Sequence, residues 1–266
     1  MTLDRRLSAL VAVLDRHAEL AIAVSGGVDS MVLAHVSNEF SRTKATVVHA
    51  VSAAVPAEAT ARVRAHAERH GWTLKLIDAG ELSDPAYLSN PVDRCFHCKR
   101  NLYGHIHAFV GMPIASGTNV DDLSDFRPGL EAARRFGVVH PYVEAGIDKR
   151  DIYALARQHA LDDLAELPAQ PCLASRVETG IAVDAGTLGF IEAAEKGLSE
   201  QLPGASSIRC RITAHGVVFE SAALPTGEER ERVERWARSL CAQQGRTFHG
   251  LRVYRRGAAF LRSAAP

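Results

Sequence analysis

The sequence predicts an α/β fold: a doubly wound, mostly parallel sheet followed by a smaller C-terminal α+β domain. Three observations predict it. From Glu19 to about His140 short β-rich runs alternate with helical segments, a long Pro-bearing stretch then lacks periodicity, and the remainder changes to a helix, strand, strand, helix, strand order.

In order, Leu3, Leu7, Leu10, Val11 and Leu14 fall on one face of an N-terminal amphipathic helix. Arg5-Arg6 and the apolar run after it imitate a secretory signal, but Asp15-Arg16-His17 interrupts the run without a small-residue cleavage site, which points to a cytoplasmic protein. Strands are expected at Leu20–Val24, Thr46–Val51, Thr73–Ile77, Met112–Ala115 and Val138–His140. Helices are expected at Ser30–Glu39 and at Pro56–His70, the latter with Pro at its start and Gly71 after its end, with a further helix near Lys149–His159. The stretch from Leu161 to Ala185 reads as a functional loop or connection. After it come a helix (Thr187–Gln201), two strands (Ser207–Thr213 and Val217–Ser221), a helix (Thr226–Gln244) and a strand (Gly250–Tyr254). The expected division is a nucleotide-type domain over 1–165, a connecting segment over 166–186 and a small α+β domain over 187–266.

Composition excludes several function classes. The 266 residues carry 31 Lys+Arg against 31 Asp+Glu, so no net positive field draws the chain to nucleic acid. No stretch approaches the ~20 apolar residues of a membrane-spanning helix. Five Cys are odd in number and too few for a secreted disulfide framework, so their spacing is read as metal chemistry, catalysis or core.

The most specific feature is Ala23-Val24-Ser25-Gly26-Gly27-Val28-Asp29-Ser30, directly after the first strand and opening a helix. At such a turn the free backbone N–H groups and the positive helix end face one point, and two glycines let an anion approach closely. Ser25 and Ser30 add hydroxyls, and Asp29 can hold Mg²⁺ or orient an amide. A tight turn with a Ser or Asp cap is the plainer alternative. The loop lacks the Lys with which a Walker A motif grips β- and γ-phosphates.

It resembles instead the PP-loop of ATP pyrophosphatases, the adenine nucleotide alpha hydrolase-like fold. That resemblance implies cleavage of ATP between its α- and β-phosphates, adenylation of a substrate oxygen and release of pyrophosphate. Further runs narrow it: Asn90-Pro91-Val92-Asp93-Arg94-Cys95-Phe96-His97-Cys98-Lys99, Ser116-Gly117-Thr118-Asn119-Val120-Asp121-Asp122, Phe126-Arg127-Pro128-Gly129-Leu130 and Pro171-Cys172-Leu173-Ala174-Ser175-Arg176. In order and spacing, from about residue 20 to 221, these resemble the LarE family of ATP-dependent sulfur transferases that build the nickel-pincer nucleotide cofactor of lactate racemase.

From the residues alone, Cys172 precedes Ser175 and Arg176 by three and four positions, and a neighbouring guanidinium favours the thiolate. A thiolate beside an acyl adenylate displaces AMP and leaves a thioester, and the resemblance implies that members with a single functional cysteine then give up that sulfur and are left with dehydroalanine. Cys95-x-x-Cys98 alone reads as half a zinc knuckle, a redox dithiol or two plain thiols. With Cys172 the count becomes three, and this resembles the LarE branch that holds a 4Fe–4S cluster on three cysteines with one iron open for sulfide. Period-two alternation puts Ile208, Cys210 and Ile212 on one strand face, while Val233, Trp236, Ala237, Leu240 and Cys241 form a helical stripe. Cys210 and Cys241 are therefore read as core.

The same alternation aims Arg209 and Arg211 together, a pair suited to phosphate, with a solvated strand face as the alternative. The resemblance implies that these two, with Ser175 and Arg176, hold the substrate phosphate. It implies ATP and Mg²⁺ at Ser25, Gly26, Gly27, Val28, Asp29, Ser30, Gly117, Asn119, Asp121 and Arg127. It also implies a pyridinium mononucleotide substrate and a symmetric homo-oligomer. Glu220 matches a position that binds a metal in the family, and a surface Glu is the alternative. The chain departs from the family at Val177-Glu178-Thr179-Gly180, which keeps only the Gly, and at Glu166-Leu167-Pro168-Ala169. The twelve His are mostly scattered, and His97 reads as supporting or solvated rather than ligating. A PP-loop tRNA thiolase would need a basic surface or an RNA-binding module. A glutamine amidotransferase would need a glutaminase domain. A non-catalytic nucleotide or iron–sulfur scaffold would show no ATP-to-AMP turnover.

Overall fold

A computed structural model describes residues 2–124, 128–255, 257 and 259. In chain order the elements are α1 (Leu3–Leu14), β1 (Glu19–Ala23), α2 (Val28–Glu39), β2 (Lys44–Ala50), α3 (Ala57–Arg69), β3 (Leu74–Ile77), α4 (Pro85–Leu88), α5 (Arg94–Val110) and β4 (Ile114–Ser116). They continue as α6 (Pro128–Arg135), α7 (Pro141–Glu144), α8 (Lys149–Gln158), α9 (Asp162–Ala165), α10 (Ala185–Gln201), β5 (Arg209–Thr213), β6 (Gly216–Ser221), α11 (Gly227–Gln243) and β7 (Phe248–Val253). Backbone contacts divide the chain into two units, 1–84 with 93–170, and 85–92 with 171–266.

The first unit is built on an all-parallel sheet in the order β3-β2-β1-β4. Alternation decides its two faces. Leu20, Ile22 and Val47 point into a core with α1, α2, α3 and α8, whereas Ala21 and Val48 point into a second core with Tyr103 and Ile106 of α5 and Ala133 of α6. Both faces are thus covered, as a doubly wound sheet requires. Of the expected N-terminal face, Leu10 and Leu14 are buried and Leu3, Leu7 and Val11 are half-buried against the same core, with Val13 buried beside them.

Two expectations need correction. Val138–His140 forms a single parallel bridge from Val139 to Ala115 rather than a strand, because Pro141 has no N–H for a ladder and starts α7 at once. The 17-residue helix α5, which carries both cysteines of the Cys-x-x-Cys pair, was not expected. Its buried residues are only Arg94, Tyr103 and Ile106, so it shows no continuous apolar stripe.

The second unit has a three-stranded sheet in the order β5-β6-β7, antiparallel between β5 and β6 and parallel between β6 and β7. Cys210 and Cys241 are both buried in it, and burial raises both thiols above their usual range, which makes them inert packing. The short segment 85–92 belongs here because of Asn90. Its φ of 54°, tolerable for Asn, turns its amide to donate to the carbonyls of Glu178 and Ile181 at 2.9 Å each, while its own carbonyl accepts from Gly180. Among the described residues no helix is long and apolar enough to cross a membrane.

Candidate functional site

In the first unit the strand β1 ends at Ala23, and the chain turns through Ser25 and Gly26 into Gly27, the N-cap of α2. Gly26 takes φ +84°, and a Cβ there would stand 2.8 Å from the Ala59 carbonyl oxygen. Only glycine fits both demands. Ser30 stitches the loop closed: its Oγ accepts from the Ser25 N–H and donates to the Gly27 carbonyl, each at 3.1 Å. Ser25 Oγ lies 3.3 Å from Ser30 Oγ, and Ser25 remains exposed. The N-cap Gly27 has no side chain to cap the first turn of α2, whose N–H groups carry the partial positive charge of a helix start.

Behind the loop, buried His49 bridges the Val24 carbonyl (Nδ1, 2.8 Å) and Thr60 (Nε2, 2.9 Å). A carbonyl only accepts, so Nδ1 carries the proton and Nε2 accepts from the Thr60 hydroxyl. Burial lowers the His49 pKa and keeps the ring neutral. Arg62 of α3 donates to the Gly26 carbonyl at 2.7 Å and to Gln170, and its own burial lowers its pKa.

Asp29 gathers the residues that converge on this helix end. Lys149, first residue of α8, places Nζ 2.7 and 2.6 Å from the two Asp29 oxygens. The Asn119 amide donates to Asp29 Oδ1 at 3.4 Å, and buried Tyr142 donates to the Asp29 carbonyl. Asp121 accepts from the Lys149 N–H at 3.0 Å. Gly117 packs directly on α2, since a Cβ there would be 2.8 Å from Ser30 N. The structure therefore brings together Ser25, Gly26, Gly27, Val28, Asp29, Ser30, Gly117, Asn119 and Asp121, whereas Arg127 lies outside the described residues. Sequence reading missed Lys149, Tyr142, His49 and Arg62. Only Lys149 left a trace there, the Asp148 and Asp151 capping box that sets it at the helix start.

Cys95 and Cys98 lie three positions apart on α5, hence on one face, the first exposed and the second half-buried. His97 between them meets Asp93 at 3.8 Å. None of the five cysteines is in a disulfide.

In the second unit Cys172 is half-buried and caps a 3₁₀ turn over Leu173–Arg176. Arg176 is buried and engaged on all sides. It pairs bidentately with Glu195 at 2.9 and 3.0 Å and donates to the carbonyls of Pro171 and Cys172 and to Ser175 Oγ. It thus reaches Cys172 through the carbonyl oxygen. Arg211 pairs with Glu220 at 2.7 Å and donates to the Ser175 carbonyl, and Arg252 takes the other Glu220 oxygen at 2.6 Å. Glu220 is therefore no surface residue: both its oxygens are held by guanidiniums in a buried pair. Arg209 lies over the Tyr254 ring, as Arg211 does, and among the described residues hydrogen-bonds only the Ile208 carbonyl. Burial, and next the Arg176 charge, lowers the Arg209 pKa. A guanidinium held against its preference in this way gains from an anion.

No family model matches the chain. It is similar to the uncharacterized protein slr1717 of Synechocystis sp., 33% identical over 178 residues, which are 65% of this chain and 66% of that protein, just under two thirds of its length. It is similar to the uncharacterized protein MJ0830 of Methanocaldococcus jannaschii, 26% identical over 198 residues, 73% of this chain and 75% of the relative. A third relative, pyridinium-3,5-bisthiocarboxylic acid mononucleotide synthase of Lactiplantibacillus plantarum, is 28% identical over 200 residues, 73% of this chain and 72% of the synthase.

Proposed function

We propose that this chain is an ATP-dependent sulfur transferase of nickel-pincer nucleotide biosynthesis. It adenylates a carboxylate of pyridinium-3,5-dicarboxylic acid mononucleotide and converts it to a thiocarboxylate. The observation that carries the reading is the glycine loop at the start of α2, with the Asp29–Lys149 pair beside it. The similarity to a synthase of a bisthiocarboxylic acid mononucleotide supports the substrate.

The roles of the residues follow from their surroundings. The first-turn N–H groups of α2 receive ATP phosphates, helped by Ser25. Lys149 exchanges its Asp29 carboxylate for phosphate oxygens, which supplies the cation the loop itself lacks and frees Asp29 for Mg²⁺. The hard oxygens of Asp29 and Asp121 suit that ion. Gly117, Asn119 and Arg127 complete the nucleotide site. The substrate carboxylate attacks the α-phosphorus, pyrophosphate leaves, and a sulfur nucleophile then displaces AMP from the acyl carbon. Among Ser175, Arg176, Arg209 and Arg211, we assign direct contact with the substrate phosphate to Arg209, whose described hydrogen bond runs only to the Ile208 carbonyl. Arg176 and Arg211 hold the Ser175 turn in shape, since their own hydrogen bonds run to it.

On the resemblance, Cys95, Cys98 and Cys172 would hold an iron–sulfur cluster; these three soft sulfurs are outside any disulfide and none is buried. When bound, a 4Fe–4S cluster supplies an open iron for exogenous sulfide, so that Cys172 is not consumed. Residues 1–165 then serve ATP, 166–186 sulfur transfer, and 187–266 the substrate and a homo-oligomer, in the cytoplasm. Pyrophosphate release tests the reading. It is expected from Mg²⁺·ATP only when the dicarboxylate mononucleotide is present, and ATP left intact with that substrate, or cleaved to ADP, would refute it.

A further inference from the structure

Four histidines that lie far apart in sequence, His35, His66, His70 and His159, meet on the first unit at the C-terminal end of α2, away from the loop at its start. The ring of His35 lies 5.0 Å from that of His70 and 5.7 Å from that of His159, and His66 stacks on His70 at 5.6 Å. One donor atom from each of His35, Glu39 and His70 falls within 4.8 Å of the others. We propose that His35, Glu39 and His70 bind a divalent transition ion of the Zn²⁺ class, a site separate from the sulfur chemistry.

Two independent features point to a cation here. Each of the four rings has one buried nitrogen with no hydrogen-bond partner: Nδ1 of His35 and His66, Nε2 of His70 and His159. His35 is 6% exposed, and an orphaned buried nitrogen is costly, which an ion at His35 would relieve; the Nδ1 of His70 already lies 3.8 Å from Glu39 Oε1. Next, three helices end at this spot. Glu39 is the last residue of α2, His70 the C-cap of α3 and His159 the C-cap of α8, so three partial negative helix ends converge on it.

The donor set selects the ion. Two imidazoles and one carboxylate suit Zn²⁺, Co²⁺ or Ni²⁺, not Mg²⁺ or Ca²⁺. Bonds of about 2.0–2.2 Å bring ligand atoms to roughly 3.4 Å apart, a closure that rotation of the exposed Glu39 side chain can provide. Water takes the remaining position. His66, held by Asp163 at 2.8 Å, braces the stacked His70 ring. The ion would staple the ends of α2 and α3.

The test is a Co²⁺ titration of metal-stripped full-length protein in which Cys95, Cys98 and Cys172 are replaced by Ser. One equivalent is expected, with visible ligand-field bands, no thiolate charge-transfer band, displacement by Zn²⁺ and none by Mg²⁺. His70→Gln should abolish the bands. Glu39→Gln, an exposed change that does not threaten folding, should weaken binding by at least about tenfold. Absence of the bands, or bands unchanged by Glu39→Gln and His70→Gln, would overturn the proposal. Should the triple variant not fold, the unsubstituted protein decides: any cobalt bound only with a thiolate band also overturns it.

Discussion

At the loop before α2 the Asp29–Lys149 pair keeps 29% and 31% of its side chains exposed, whereas Arg211 and Glu220 in the second unit keep 6% and 0%. Both are close ion pairs, yet they suit opposite tasks. The half-buried pair sits at a helix start that attracts anions, so its partners would exchange at less cost for a phosphate on the proposed function. The buried pair, extended by Arg252 and tied to the Ser175 carbonyl, cannot exchange without stranding a charge. On the proposed function the first would be a binding device and the second a frame.

Breaking the frame should have the largest effect. Glu220→Ala strands Arg211 in the interior and is expected to cost about 3–5 kcal/mol, measured by urea denaturation. A cost below about 1 kcal/mol, the range of surface pairs, would remove the contrast. Lys149→Met should do the reverse, lowering AMP formation about 10²–10³-fold while unfolding free energy shifts by less than about 1 kcal/mol. Gly26→Ala must force a left-handed backbone and a clash with the Ala59 carbonyl, so we expect a loss of at least about 1–2 kcal/mol together with weaker ATP binding, by calorimetry.

The smallest effect is a pH dependence. The folded pKa of His49 lies below its ordinary value of 6.5, so the unfolded chain binds the proton more readily. Stability is therefore full above pH 6.5 and falls as pH drops below it toward the lowered value. His49→Gln should remove its share of that decline in urea midpoints taken between pH 7 and 5. His35, His70, His140 and His159 are lowered too, and their shares remain.

What could be read from the sequence was whatever is local. The glycine loop was legible because strand, turn and helix start are contiguous, and Cys210 and Cys241 were legible because alternation and helical spacing are local periodicities. Lys149 was not, since its partner Asp29 lies 120 positions away and only the sheet order brings α8 to the start of α2. Arg176 read as a substrate-facing group because nothing before folding reveals Glu195, 19 positions on, as its partner. The histidines looked scattered because three separate helices have to end at one place before they meet. Helix α5 escaped notice because its amphipathic face is thin, with weak helix formers such as His, Asn and Gly104 along it.

The central claim is tested most directly by incubating anaerobically prepared protein with Mg²⁺·ATP, sulfide and the dicarboxylate mononucleotide, then weighing the small product and the intact chain. The account expects a thiocarboxylate, with Cys172 unchanged in mass. No thiocarboxylate would contradict the sulfur-transfer claim, and product formed with the chain lighter by one hydrogen sulfide would contradict the cluster route.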